Sequence, residues 1–285
     1  MARTTDAHRR RAGRVGRRVA LYAVLIGLSL LFLLPYYIIL RNALSTRAQI
    51  TGFQWVWFPS HPDWSNLADL LHASSPVLRA MLNSAVIATV QTVAQLAVAA
   101  TAGYGLARIG YRHANKVFLL LLGTLMVPSA VTFVPTFAVV AALGWINTLL
   151  GIIMPGVFSV FTMFIFRQAF LDFPRDLEEA GRLDGLGPWG VFLRVVLPNS
   201  VGVTVALGTI SFIWSWNGFL WPLVVGQDES TWTIQVALST FLNSYNLNLP
   251  GLFAASLLSV LPVMLLFLVL QRHIAQGVKM SGLKG

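Results

Sequence analysis

The sequence predicts an all-α polytopic membrane protein with about six transmembrane helices. Three observations predict it. The 285 residues are 56% hydrophobic and only 11% charged, too little charge to cover the surface of a soluble domain. Apolar runs close to the roughly 20 residues that a spanning helix needs recur along the whole length. The basic residues sit beside those runs, in the pattern that sets membrane topology. Mean hydropathy is +0.71.

The elements follow in order. Residues 1–19 carry seven arginines and read as a basic cytoplasmic tail. Residues 20–285 read as one membrane domain. A first span is expected over Ala20–Leu40. It is long and has no small-x-small cleavage site after it, so it reads as an uncleaved helix and not a signal peptide. Residues 41–80 form an outer loop whose Trp55, Trp57 and Trp64 suit a membrane–water boundary. Span two is Met81–Leu106, and Arg108, Arg112 and Lys116 follow as a basic inner loop. Span three is Val117–Leu143 and span four Leu149–Phe166. A charged cytoplasmic stretch runs from Arg167 to Pro198. Span five is Ser200–Val225, an outer loop occupies 226–250, and span six is Gly251–Leu270.

The formal net charge is +10. This layout puts 17 basic residues inside and only Arg41, Arg47 and Arg79 outside. Nucleic-acid binding would want basic residues interleaved with aromatics on a polar module, and none is seen. Both termini are therefore expected in the cytoplasm.

Several chemistries are disfavoured. There is no Cys, so disulfides, thiolate catalysis and Cys-bound metals are excluded. The five His residues form no ligand pair, and no metal site is expected. No Asp, Glu, Lys, Arg or His lies within a proposed span, which speaks against a proton-coupled carrier or a membrane-embedded hydrolase. No Gly is followed by Lys and then Ser or Thr, so no phosphate-binding loop is present. If the protein moves a solute, the driving energy is expected to enter from outside the membrane, and any ATP hydrolysis must occur on a partner.

Polar residues at depth are candidates for a translocation path. Asn83, Gln91 and Gln95 make a polar stripe on span two. Their competing role is hydrogen-bonding between helices. Span five holds Ser211, Trp216 and Asn217, where aromatic faces beside amides suit sugar rings. Packing and interface anchoring would explain the same residues. The prolines Pro35, Pro128, Pro135, Pro155, Pro222 and Pro262 are expected to kink spans.

The most informative stretch is 173–198, FPRDLEEAGRLDGLGPWGVFLRVVLP. Pro174 and the acidic Asp176, Glu178 and Glu179 suit a helix start. Asp184-Gly185 is a turn pair. Pro188 opens a second helix with an apolar face of Val191, Phe192, Val195 and Val196. The stretch thus predicts a charged helix, a turn, and an amphipathic helix lying against the membrane.

This loop resembles the EAA loop of ABC importer permeases. Glu179-Ala180-Gly181 takes the EAA place, Gly185 the glycine place, and Leu197-Pro198 the close. The extended form with Leu183, Asp184, Pro188 and Trp189 is similar to carbohydrate importers. Further likeness lies in WNGFLWPLVV at 216–225, in Leu261-Pro262 and in the tail QRHIAQGVKMSGLKG. The likeness extends over nearly the whole chain, most weakly in the tail and first outer loop. One departure is Gly181, which replaces the second Ala and loosens a helix by roughly 0.5–1 kcal/mol.

The resemblance implies a MetI-like permease fold in a bacterial or archaeal cytoplasmic membrane. It implies a transport subunit and not an enzyme: no cofactor on this chain, with ATP and Mg on a partner ATPase. It implies that Glu178, Glu179, Ala180, Gly181, Asp184, Gly185 and Pro188 couple to that ATPase. It also implies a second homologous permease, two ATPase copies and an extracytoplasmic solute-binding protein, with Tyr245 and Asn246 as candidate contacts to the last. Two competing readings are a permease for another solute, such as a glycerol-phosphate ester, and a stand-alone carrier or membrane enzyme.

Overall fold

The structure is a computed structural model whose described residues are 2–72, 75–110, 112–242 and 247–281, with side chains described over 16–271 of that range. These residues are helical with no strand. Three helices are long and apolar enough to cross a membrane by themselves: Gly16–Ala43, Pro76–Arg108 and Leu249–Gln271. Three more crossings result if each of three bent helix pairs is one span, giving up to six.

Three of the spans are bent pairs, and proline chemistry explains the break in span three, where a kink is expected at Pro128. Span three divides into α5 (Ala114–Thr124) and α6 (Ser129–Ala142), bent by 97° (numbering α1–α4 for the helices that precede them). Leu125, Met126 and Val127 each donate three residues back, which tightens the end of α5. Pro128 then stands at φ −60 and ψ 135, without an N–H to continue the ladder. Span four divides into α7 (Leu149–Ile153), prolonged by a 3-10 turn at Met154–Gly156 that holds Pro155, and α8 (Val160–Leu171), bent by 43° across residues 157–159. Pro35 and Pro262, in contrast, lie inside α1 (Ala2–Ala43) and α15 (Leu249–Ser281).

The described chain groups into two compact units, one of Met1–Ala68 with Asn248–Leu257 and one of Asp69–Leu247 with Leu258–Gly285. In the first, α1 exposes apolar side chains from Val19 to Leu34, an exterior whose solvent is lipid. At its end Arg41 is buried. Its guanidinium donates to the carbonyls of Val56 (3.0 Å) and Gln49 (3.3 Å) and to Asn42 Oδ1 (2.7 Å), and stacks over Trp55. A cation in the last turn also suits the helix dipole. The helix α2 (Arg47–Thr51) then starts with a capping box of Thr46 and Gln49. A short α3 (Ser65–Leu71) follows.

The second unit is built around α4 (Pro76–Arg108). Near its C-terminal end Ala99, Ala100 and Tyr104 join Met163, Phe166 and Phe170 of α8 in one core. The approach is close at Gly103: a Cβ there would lie 3.0 Å from both Phe166 Cβ and Arg167 N. Small residues bring helices together in this way where lipid gives no hydrophobic drive between them. Phe118, Val191, Phe192, Val196 and Leu207 complete that core. A second cluster gathers Ile87, Val140, Ile152, Ile153 and Val225.

Candidate functional site

The 173–198 stretch forms two helices, as its local chemistry predicts. The first, α9 (Arg175–Leu183), begins after Pro174 and carries Asp176 and Glu178 in its first turn. Its end is a Schellman motif. Leu186 N donates to Gly181 O and Gly185 N donates to Arg182 O, both at 3.0 Å, with Gly185 at φ +84. An L side chain resists that φ, which accounts for glycine there. The second helix runs from Pro188 to Asn199 as α10 (Pro188–Val191), a π-helical turn (Phe192–Val196) and α11 (Leu197–Asn199). Pro198 explains the π turn. It cannot donate to Arg194, and Leu197 N–H reaches back five residues to Phe192 O. This helix meets α12 (Val201–Trp216) at 77°.

The two faces of α9 differ. Glu178 and Gly181 point into the protein and are buried, while Leu177, Glu179, Ala180 and Leu183 are exposed. Glu178 Oε1 lies 2.8 Å from Arg108 Nε, and both side chains are less than a tenth exposed. Arg108 Nη2 also donates to Phe173 O at 2.6 Å, so one arginine grips both ends of the approach to α9. Arg182 lies 3.7 Å from Glu178 Oε2. Most of Arg182 is exposed, so its pair with Glu178 contributes little, while the buried pair resists being broken. Gly181 packs against the second helix of the loop, where a Cβ would lie 3.2 Å from Val195 Cγ2. Its smallness thus serves a contact within the chain.

Arg108 and Tyr104 were not singled out from sequence. Arg108 reads as part of a basic loop, yet it is the last residue of α4 and its side chain is buried against Glu178.

The candidate path residues all have partners of known identity except Ser211, which is buried in α12. Asn83 donates to the carbonyls of Ser230 and Trp232, Gln91 to Ile153 O at 2.9 Å, and Gln95 to Thr162 Oγ1 at 3.1 Å. The stripe on α4 therefore ties it to the 226–250 segment and to both halves of span four. Trp216 is buried, stacks on Phe212 and donates to Ser259 O. Asn217 is exposed at the break after α12, where its Oδ1 accepts from Gln235 Nε2 at 3.2 Å. Beyond that break, α13 (Leu220–Val225) continues the apolar run. Tyr245 and Asn246 lie outside the described residues.

Residues 99–280 match the family described as binding-protein-dependent transport system inner membrane component. An arabinooligosaccharides transport system permease protein of Bacillus subtilis is 32% identical over 94% of this chain and 96% of its own length. A lactose transport system permease protein of Rhizobium radiobacter is 35% identical over 68% of this chain and 71% of its own length. An sn-glycerol-3-phosphate transport system permease protein of Yersinia pestis is 31% identical over 87% of this chain and 91% of its own length. In fold, the chain is similar to a chain of a bacterial ABC transporter involved in the import of the acidic polysaccharide alginate. There the TM-score is 0.78 at 22% identity, over 89% of this chain and 95% of that one.

Proposed function

This chain belongs to the family of inner membrane components of binding-protein-dependent transport systems, and from that premise we propose that it is one permease of an ATP-driven carbohydrate importer, moved by a cytoplasmic ATPase through α9. The observation that carries the coupling role is the two-faced build of α9. One face is fixed to α4 by the buried Arg108–Glu178 pair, and the other presents Leu177, Glu179, Ala180 and Leu183 to a partner. A push on that exposed face would reach α4 through the Arg108–Glu178 ion pair and the hydrogen bond from Arg108 to Phe173 O.

The complex proposed has a second homologous permease, two ATPase copies holding ATP and Mg²⁺, and an extracytoplasmic solute-binding protein. Both termini and α9 face the cytoplasm, by the excess of basic residues on that side. The outer loop is then 226–250.

The carbohydrate assignment draws on the relatives named for arabinooligosaccharides and lactose. The relative named for sn-glycerol 3-phosphate supports a second reading, a phosphate ester as solute. An anionic solute favours a free cation along the path. Among the described residues the two buried arginines outside the α9 grip, Arg41 and Arg167, are already held: Arg167 donates to Asn115 Oδ1 and stacks over Phe118.

The test is uptake by membrane vesicles holding the whole complex. Glu179→Lys is expected to abolish ATP-dependent sugar uptake and ATPase capture while the subunit still inserts. Full uptake by this variant would remove α9 from the coupling role. Competition of uptake by sugars or by glycerol phosphate decides the solute class.

A further inference from the structure

We infer that Asn147, Asn83 and Ser84 are positioning residues that hold the base of the outer loop as a preset arm for the solute-binding protein. The inference rests on the importer reading above. It starts from three side chains, drawn from two distant segments, that close on one short run of backbone.

Asn147 lies in the turn between α6 and α7, at φ +57. Its Oδ1 accepts from two successive amides, Gln227 N at 2.7 Å and Asp228 N at 3.0 Å. Its own N–H donates to Val225 O at 2.9 Å. Asn83 Nδ2 uses both its hydrogens on the same loop, donating to Ser230 O at 2.9 Å and Trp232 O at 3.0 Å. Ser84 Oγ accepts from Ile234 N at 2.8 Å in a buried bond. Between these points Thr231 closes a turn, its N and Oγ1 both donating to Asp228 O.

Residues 227–230 are exposed, and water could serve their peptide groups. Instead the chain fixes them with side chains, each of which loses rotamer freedom by doing so. That expense gives a loop base one shape before any partner arrives, and a preset arm loses less entropy when a partner docks. The chemistry suits the residue types. Asn accepts a left-handed φ more readily than most residues, and its carboxamide oxygen has two lone pairs for two N–H groups. Asn83, first read as a path residue, thus acts at the root of the arm.

The experiment uses the full complex in lipid nanodiscs. ATP hydrolysis is measured against the concentration of the cognate secreted binding protein, and amide exchange is followed at 225–234. Asn147→Gly tolerates the positive φ and removes the carboxamide acceptor, while adding some backbone freedom. It is expected to speed exchange at Gln227 and Asp228 and to raise the half-saturating binding-protein concentration about five-fold. Basal and maximal hydrolysis rates stay unchanged. Asn147→Asp keeps the acceptor and restores both readouts. An unshifted half-saturation in Asn147→Gly, or a shift that Asn147→Asp does not repair, overturns the inference. If the unmodified complex is not stimulated by the binding protein, the importer reading falls and takes this one with it.

Discussion

Glu178 and Glu179 are neighbours in sequence with opposite surroundings, and the difference predicts different failures. Glu178 is closed off with Arg108, so Arg108→Gln leaves a buried carboxylate with only the exposed Arg182, 3.7 Å away, as a cation. The expected loss is about 3–5 kcal/mol of stability, read as a lowered melting temperature of the purified complex. Glu179 is exposed, so Glu179→Lys should leave the same melting temperature within a degree or two while uptake is lost. Gly185→Asp forces an L side chain to φ +84, at about 1–2 kcal/mol, and frays the end of α9. Faster amide exchange at Gly181–Leu186 with normal membrane insertion is the expected result. The sequence alone showed both glutamates as candidates on one helix. It could not separate them, because the cation that claims Glu178 lies 70 positions earlier and leaves no local signal.

At the scale of elements, the crossing of α4 and α8 depends on the absence of a side chain at Gly103. Gly103→Val places methyl groups where Phe166 and the Arg167 backbone already stand. The helices must part, and about 1–3 kcal/mol of stability should go with the close contact. Reduced detergent resistance of the folded subunit, with unchanged expression, checks it. Elements were legible where one physical rule governs. The turn at Asp184-Gly185 and the start at Pro188 follow from local chemistry, and the structure places them there. The long apolar runs gave the spans. The 97° bend within span three was not legible in angle, since hydropathy has no direction. Pro128 marked the position of the break only. The polar stripe Asn83, Gln91 and Gln95 was legible as a stripe, but which of its two roles it plays depends on what faces it, and that is tertiary.

The whole chain has no phosphate-binding loop, and its family works with separate partners. In proteoliposomes the subunit alone should neither hydrolyse ATP nor concentrate sugar. Adding the second permease, the ATPase and the binding protein together should start both. Concentrative uptake by the lone polypeptide would falsify the importer reading. The scale of the molecule also explains why orientation was readable early: the charge bias is a sum over many arginines and does not depend on any single contact.

One helix, α4, carries Asn83 and Ser84 near one end and Arg108 at the other. The 25 steps of chain from Asn83 to Arg108 span about 38 Å at the usual rise. After Pro76 the helix has no proline at which to fold. On the importer reading proposed above it would serve as a push-rod, one unbroken helix linking the end that α9 grips to the root of the loop that would meet the incoming cargo carrier.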